Sequence, residues 1–296
     1  MSKIIFVGDC HLKGSTPISR KDNYPETILN KLLFIKEYAQ SLACKHIFFL
    51  GDIFDNVSTT FPYFSHCLSL FKSFRDDGID LYTIAGNHDL KYDALETITI
   101  TPLGVLIKSG VFTLLGNTEI DGIKITGFSY TETPTPNVNA EGYSIALLHR
   151  FYESGFGEEP ITEELVVSLG YNTYIFGHDH RPYQTKVISD TIKVIRPGSL
   201  ARNSSDQYNR IRKPRILVFD TETLSFYYEE VRSEAGQEVF FENVEEERPI
   251  SMSDLVTYLQ SAYHSSGMSI REYLDSITIP EASKSLIIGY LDILGA

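Results

Sequence analysis

The sequence predicts an α/β protein, a two-sheet αββα sandwich with a small, mainly helical C-terminal extension, and three observations predict it. Short apolar runs at Ile4 to Val7, Ile47 to Leu50 and Leu81 to Ala85 each stop at a glycine followed by polar residues, as buried strands do. Helical stretches separate these runs, so the strands lie parallel. After about Val111 the grammar changes to closely spaced strands.

Pro25 to Ala43 has proline near its start and apolar Ile28, Leu32, Leu33, Ile35 and Tyr38 at helical spacing. Phe61 to Phe74 is patterned in the same way. Glu119 to Thr126 reads as a hairpin turning at Asp121-Gly122, and Lys186 to Ile195 as another turning at Ser189-Asp190. Ser144 to Leu148 and Thr173 to Phe176 are further buried strands, with a helix near Thr162 to Leu169 between them. The Thr-Pro-rich stretch from Thr131 to Val138 is a surface loop. Residues 1–231 form the main domain, and residues 232–296 an acidic linker with amphipathic stretches at Ser253 to Tyr263, Ile270 to Ser276 and Pro280 to Ile293.

A length of 296 residues with 42% hydrophobic content suits one large core plus a small appended unit. No eighteen-residue apolar run is present, and the three cysteines (Cys10, Cys44 and Cys67) have neither disulfide-framework nor metal-pair spacing. A cytoplasmic protein without membrane attachment is expected. The net charge of −13 opposes a polyanionic partner at first sight, yet −9 of it falls after residue 228. Within the remainder, Lys193 to Arg215 carries seven bases against the single acid Asp206.

Five histidines sit in polar clusters that follow strand-like runs: GDCH at 8–11, GDIFD at 51–55, GNHD at 86–89, LLH ending at His149, and GHDH at 177–180. Loops at the carboxyl ends of parallel strands converge on one sheet edge, where α/β proteins place ligands. The clusters supply Asp, Asn and His donors for two divalent cations, with no thiolate to select zinc or copper(I). Asp9 with His11, and His178 with His180, are two residues apart, so in extended chain both members project to one side and Cys10 to the other. His46, His66 and His264 lie outside these motifs, and Asp89 and Asp179 serve equally well as partners of ligands or as turn residues.

In these motifs and their order the chain resembles the calcineurin-like metallophosphoesterases, whose pattern runs D-x-H, G-D-x-x-D, G-N-H-D/E, H and G-H-x-H. The resemblance spans roughly residues 4–228 and implies the sandwich fold. It implies Asp9, His11 and His180 as ligands of one metal and Asn87, His149 and His178 of a second, with Asp52 bridging. Asp55 then orients His88, which stands beside the scissile phosphate as proton donor or charge stabiliser. The implied reaction is hydrolysis of a phosphate ester by activated water, with manganese as the expected cation.

Asn56 stands where the protein phosphatases of the superfamily carry arginine after G-D-x-x-D. The phrases GDIFD, GNHD, YNTYIFGHDHRPY (171–183) and IRPGSLARNSSDQYNRIRKP (195–214) instead resemble the nuclease subunit of SbcCD-type DNA repair complexes. That resemblance implies DNA as substrate, Arg202, Arg210, Arg212 and Lys213 as DNA-binding residues, and a coiled-coil ATPase partner gripped by the C-terminal region, which otherwise docks a second copy of this chain or packs on the core. Only 65 residues follow Val231, and they are acidic, so any cap is small. The competing readings are a compact phosphodiesterase acting on small or cyclic nucleotides and a catalytically silent scaffold; the complete ligand set argues against the last.

Overall fold

The computed structural model describes residues 2–137, 141–154 and 159–242. Contacts divide the chain into Met1–Glu246 and Glu247–Ala296. The amphipathic segments from Ser253 onward, and His264, lie outside the described residues.

The first sheet is built on β1 (Lys3–Val7), β2 (His46–Phe49), β3 (Asp80–Thr83) and β4 (Phe112–Leu114), paired parallel in that order. The helix α1 (Tyr24–Ser41) links the first two strands and α2 (Phe61–Asp76) the next two, as the spacing of apolar runs predicts. In α1, Asn23 accepts the Glu26 amide at the cap, Pro25 occupies the first turn, and Ile28, Leu32, Ile35 and Ala39 are buried along one stripe. Leu33, assigned to that stripe from sequence, is 42% exposed. A short helix α3 (Pro102–Lys108) leads into β4.

The second sheet begins with a hairpin of β5 (Asn117–Ile120) and β6 (Ile123–Phe128), joined at Asp121 (φ 52°) and Gly122 (φ 79°) as the Asp-Gly pair predicts. β7 (Ser144–His149) and β8 (Thr173–Gly177) follow in parallel, with α4 (Glu163–Leu169) between them. The predicted second hairpin is β9 (Lys186–Ser189) with β10 (Ile192–Ile195), of which β10 pairs parallel to β8. After the short helix α5 (Gln207–Ile211) the chain returns to the first sheet as β11 (Arg215–Asp220), antiparallel to β1, and β12 (Ser225–Glu230) pairs with β11.

Both sheets are covered on both faces, which is why their central strands read as unbroken apolar runs. Ile4 and Phe6 of β1 join Phe48, Leu50, Ile145, Leu147 and Ile175 in the core between the sheets. Ile5 and Val7, on the opposite side of β1, pack with the buried stripe of α1 and with Phe71 and Phe74 of α2. Ala146, Tyr174 and Phe176 form a third core with Val166 and Leu169 of α4. The sandwich fold is therefore as expected. Past Val231 the chain stays on the same unit: α6 (Gly236–Val239) follows, and Val239 and Phe240 are buried.

Candidate metal centre

The carboxyl ends of β1, β2, β3, β7 and β8 bring the five histidine-bearing or Asp-bearing motifs together. Three overlapping groups of donor atoms, each within 4.8 Å of one another, result: Asp9 with His11 and His180; His11 with Asp52 and His88; and Asp52 with His149 and His178. Asp52 and His11 each belong to two groups. Asn87 Oδ1 lies 3.3 Å from His149 Nε2. His88 shares a group with His11 and Asp52, which puts it closer to the donor cluster than its assigned role requires.

Local backbone geometry explains the placement. His11 (φ 44°), Asp52 (φ 49°) and His178 (φ 77°) all adopt the left-handed conformation, at a cost of about 1–3 kcal/mol each. His11 thus reaches the cluster through a turn and not through the extended backbone expected of Asp9-Cys10-His11. Cys10 is buried in the core, as expected. Cys10 and His11 donate their amides to Asp52 O, and Leu200 and Ala201 donate theirs to Asp9 O, so three segments distant in sequence are stitched behind the cluster. A Cβ at Gly86 would collide with Asp52 Oδ1, so the close approach of these loops requires glycine there.

The protonation pattern suits cation binding. His149 Nδ1 lies 2.6 Å from the Leu50 carbonyl, which holds its proton there and turns Nε2 toward Asp52 Oδ2 at 3.3 Å. His11 Nε2 and His180 Nε2 face each other at 2.9 Å, and burial holds both rings below the ordinary histidine pKa, so two uncharged imidazoles converge. Asp9 Oδ2 and His11 Nδ1 are buried without a hydrogen-bond partner, an arrangement that costs free energy unless another group completes it. Burial opposes charging of His149 as well, but Asp52 outweighs it and raises the His149 pKa, while His149 helps hold Asp52 well below the usual carboxylate range. A buried set of carboxylates and imidazoles that compensates its own charge by sharing protons is a set from which divalent cations displace protons.

His88 Nδ1 lies 2.5 Å from the backbone carbonyl of Asp55. The contact of Asp55 with His88 runs through the main chain; its carboxylate instead pairs with Lys13 Nζ at 2.9 Å and faces His11 Nδ1 at 3.6 Å. Local sequence says nothing about which group of a residue makes a bond. Asp89, left undecided from sequence, is a buried clamp that accepts the amides of Ile53, Phe54 and Gly86 and so ties the GDIFD and GNHD loops together. Asp179 accepts the Arg181 amide in a turn. Aromatic rings missed in the sequence flank His178, with Phe151 at 4.3 Å and Tyr130 at 5.6 Å between ring centres. Their only sequence signal is adjacency to strand ends. His46 is partly buried beside Asp80, and His66 is exposed.

The basic run behaves differently from its sequence reading. Arg202 is 1% exposed and donates to the carbonyls of Asn209, Arg212 and Glu234; Arg212 is 8% exposed and donates to Ser199 O, Ala201 O and Asn209 Oδ1. Burial lowers both to about 10, which leaves them charged at neutral pH. Arg210 donates to Ser205 O and Phe241 O, and Lys213 pairs with Glu230 on the surface. The expectation that Arg202 and Arg212 meet DNA phosphates thus gives way to a structural role: Arg212 donates to carbonyls of the 199–201 loop that holds Asp9, and Arg202 to the carbonyls of Asn209, Arg212 and Glu234. Arg212→Ala should destabilise the fold by about 3 kcal/mol, because several buried acceptors lose their donor at once. Lys213→Ala should leave the denaturation midpoint unmoved, and equal midpoints for the two variants would contradict this division.

Fold and site together define a metal-dependent phosphoester hydrolase. Residues 2–182 match the family model of the calcineurin-like phosphoesterases, and the chain belongs to that family. Among curated proteins none matches. Among solved structures, TT1561 of Thermus thermophilus aligns at 11% identity with a TM-score of 0.48, over 78% of this chain and 99% of that one. A second crystal structure aligns at the same identity and coverage with a TM-score of 0.47. No described helix is long and apolar enough to cross a membrane.

Proposed function

We propose that this chain hydrolyses phosphodiester bonds at a two-cation centre, with DNA as its target in the manner of the SbcCD-type nuclease subunits it resembles. The observation that carries the hydrolytic part is the sharing of Asp52 between neighbouring donor groups on either side of it. Asp9, His11 and His180 would hold one cation and Asn87, His149 and His178 the other, with Asp52 between them; manganese suits the imidazole donors. Such a pair supplies an activated water and neutralises charge developing on the phosphoryl oxygens.

The side chains do the rest. Asp52 Oδ1 accepts the His88 amide at 2.9 Å, which fixes the His88 backbone against the centre. Because His88 Nδ1 commits its proton to the Asp55 carbonyl, the second proton of a charged ring sits on Nε2, free to pass to a departing alkoxide. Burial works against that charge, but Asp52 and the Asp55 carbonyl outweigh it and raise the His88 pKa above the ordinary value.

A reading as a phosphodiesterase of small or cyclic nucleotides is favoured by the burial of Arg202 and Arg212, which removes two bases of the most basic stretch from the surface. Purified protein with manganese, offered duplex DNA, single-stranded DNA, cyclic nucleotides and bis(p-nitrophenyl) phosphate, separates the two. Scission of DNA that weakens steeply with salt is the expected result. Cleavage of cyclic nucleotides with DNA left intact would transfer the assignment to the small-nucleotide reading. Inertness toward every substrate would overturn both. The resemblance also proposes a coiled-coil ATPase partner for the C-terminal region. Since Val239 and Phe240 are buried, the truncation that tests this should fall after Glu242 and not after Val231.

A further inference from the structure

Next to Asp55 lies a cavity of about 360 Å³, formed where the loop after β1 meets the loop before α2. Lys13, Ser15, Asn56, Ser58, Thr59 and Thr60 line it, and no carboxylate does. Asp55 joins it to the centre, since its carbonyl holds His88 while its carboxylate holds Lys13 at the cavity wall. Asp55 thus links the cavity wall to His11 and to His88, the proton donor of the proposed reaction.

Its donors are open except at Ser58, whose amide and hydroxyl both donate to Asn56 Oδ1. The Lys13 ammonium has three N–H groups and spends one on Asp55 at 2.9 Å, while its side chain stays 35% exposed. Thr59 Oγ1 is buried without a hydrogen-bond partner. Thr60 occupies the N-cap position of the sixteen-residue helix α2 yet makes no side-chain cap bond, so the amides of the first turn are not satisfied by it. An ammonium, several hydroxyls and an uncapped helix start around one hollow describe an anion site of phosphate type.

We infer that this cavity is a subsite for a second phosphate group of the substrate, held on the leaving side of the bond that is cut. The inference rests on the hydrolytic reading above and names a preference within it: phosphodiesters that carry a further phosphate bind better than those that do not. That phosphate has two sources, the next phosphate of a nucleic-acid strand or the terminal phosphate of a small nucleotide.

The test uses the manganese-loaded His88→Ala variant, in which slow turnover permits calorimetric titration. The ligands are a dinucleotide without terminal phosphate, the same dinucleotide phosphorylated at one end or the other, and the ester of a nucleoside diphosphate. A phosphorylated ligand should bind about tenfold more tightly than the plain dinucleotide, as one charge-assisted contact provides. Adding Lys13→Gln or Thr60→Val should bring that ratio close to one. Preference for an end-phosphorylated dinucleotide identifies the strand as the source, and preference for the diphosphate ester identifies the small nucleotide. A ratio near one before either substitution, or a ratio that survives both, would overturn the subsite. Inertness of the wild-type protein toward bis(p-nitrophenyl) phosphate would instead count against the hydrolytic reading, so the two failures are told apart.

Discussion

Stripping divalent cations from the purified protein should reduce phosphodiester hydrolysis to background, and manganese should restore it more fully than magnesium. The donor set has four imidazoles, His11, His149, His178 and His180, beside Asp9, Asp52 and Asn87, and imidazole favours the softer ion. Among the described residues, no cysteine falls in these donor groups to serve as an alternative nucleophile. Folding should respond as well, because Asp9 and Asp52 are buried carboxylates whose charge the cations neutralise. At a hundredfold excess over Kd, a cation that binds only the folded state adds about 2.7 kcal/mol, which for a chain of this size raises the melting midpoint by roughly 5 °C or more. Differential scanning fluorimetry with and without manganese reads this without reference to turnover. Full activity after metal analysis has verified removal would sink the two-cation reading.

The second large effect is expected from His88→Ala, which should lower turnover of an alkyl phosphodiester by about a hundredfold or more. The ring contacts the Asp55 carbonyl through Nδ1 and offers Nε2 to the centre, so its loss removes the proton that an alkoxide needs in order to depart. With p-nitrophenolate as leaving group, which departs without a proton, the loss should be much smaller. Manganese stoichiometry should be the same as in the wild-type protein. Because His88 also falls in a donor group with His11 and Asp52, the loss of a bound ion would reassign it as a ligand and remove it from proton transfer. Asp55→Ala gives the complementary result. It frees Lys13 but keeps the carbonyl that holds His88, so its turnover should exceed that of His88→Ala by a wide margin.

Much of this molecule was legible in one dimension because the information was local. Apolar runs ending at Gly8, Gly51 and Gly86 mark strands that turn sharply at their carboxyl ends, and the residues just after them are the ones that converge. The Asp121-Gly122 pair specifies a hairpin by backbone preference alone. Asp9, His11, Asp52, Asn87, His149, His178 and His180 each stand in a motif of a few residues, and the family resemblance carried by those motifs is what marks them as candidate ligands.

Whatever depended on partners far along the chain was decided only by tertiary structure. A guanidinium presents the same donors whether it faces water or carbonyls, and the acceptor that Arg202 finds at Glu234 is 32 residues away; nothing in the local run separates a surface charge from a buried clasp. Asp55 carries a carboxylate and a carbonyl, and only the approach of His88 from 33 residues downstream selects the carbonyl. Strand β11 becomes a neighbour of β1 across most of the described chain, which its own apolar pattern does not encode. Composition and spacing determine which side chains are able to bind a cation, whereas the packing of distant segments determines which donors remain free to meet a substrate.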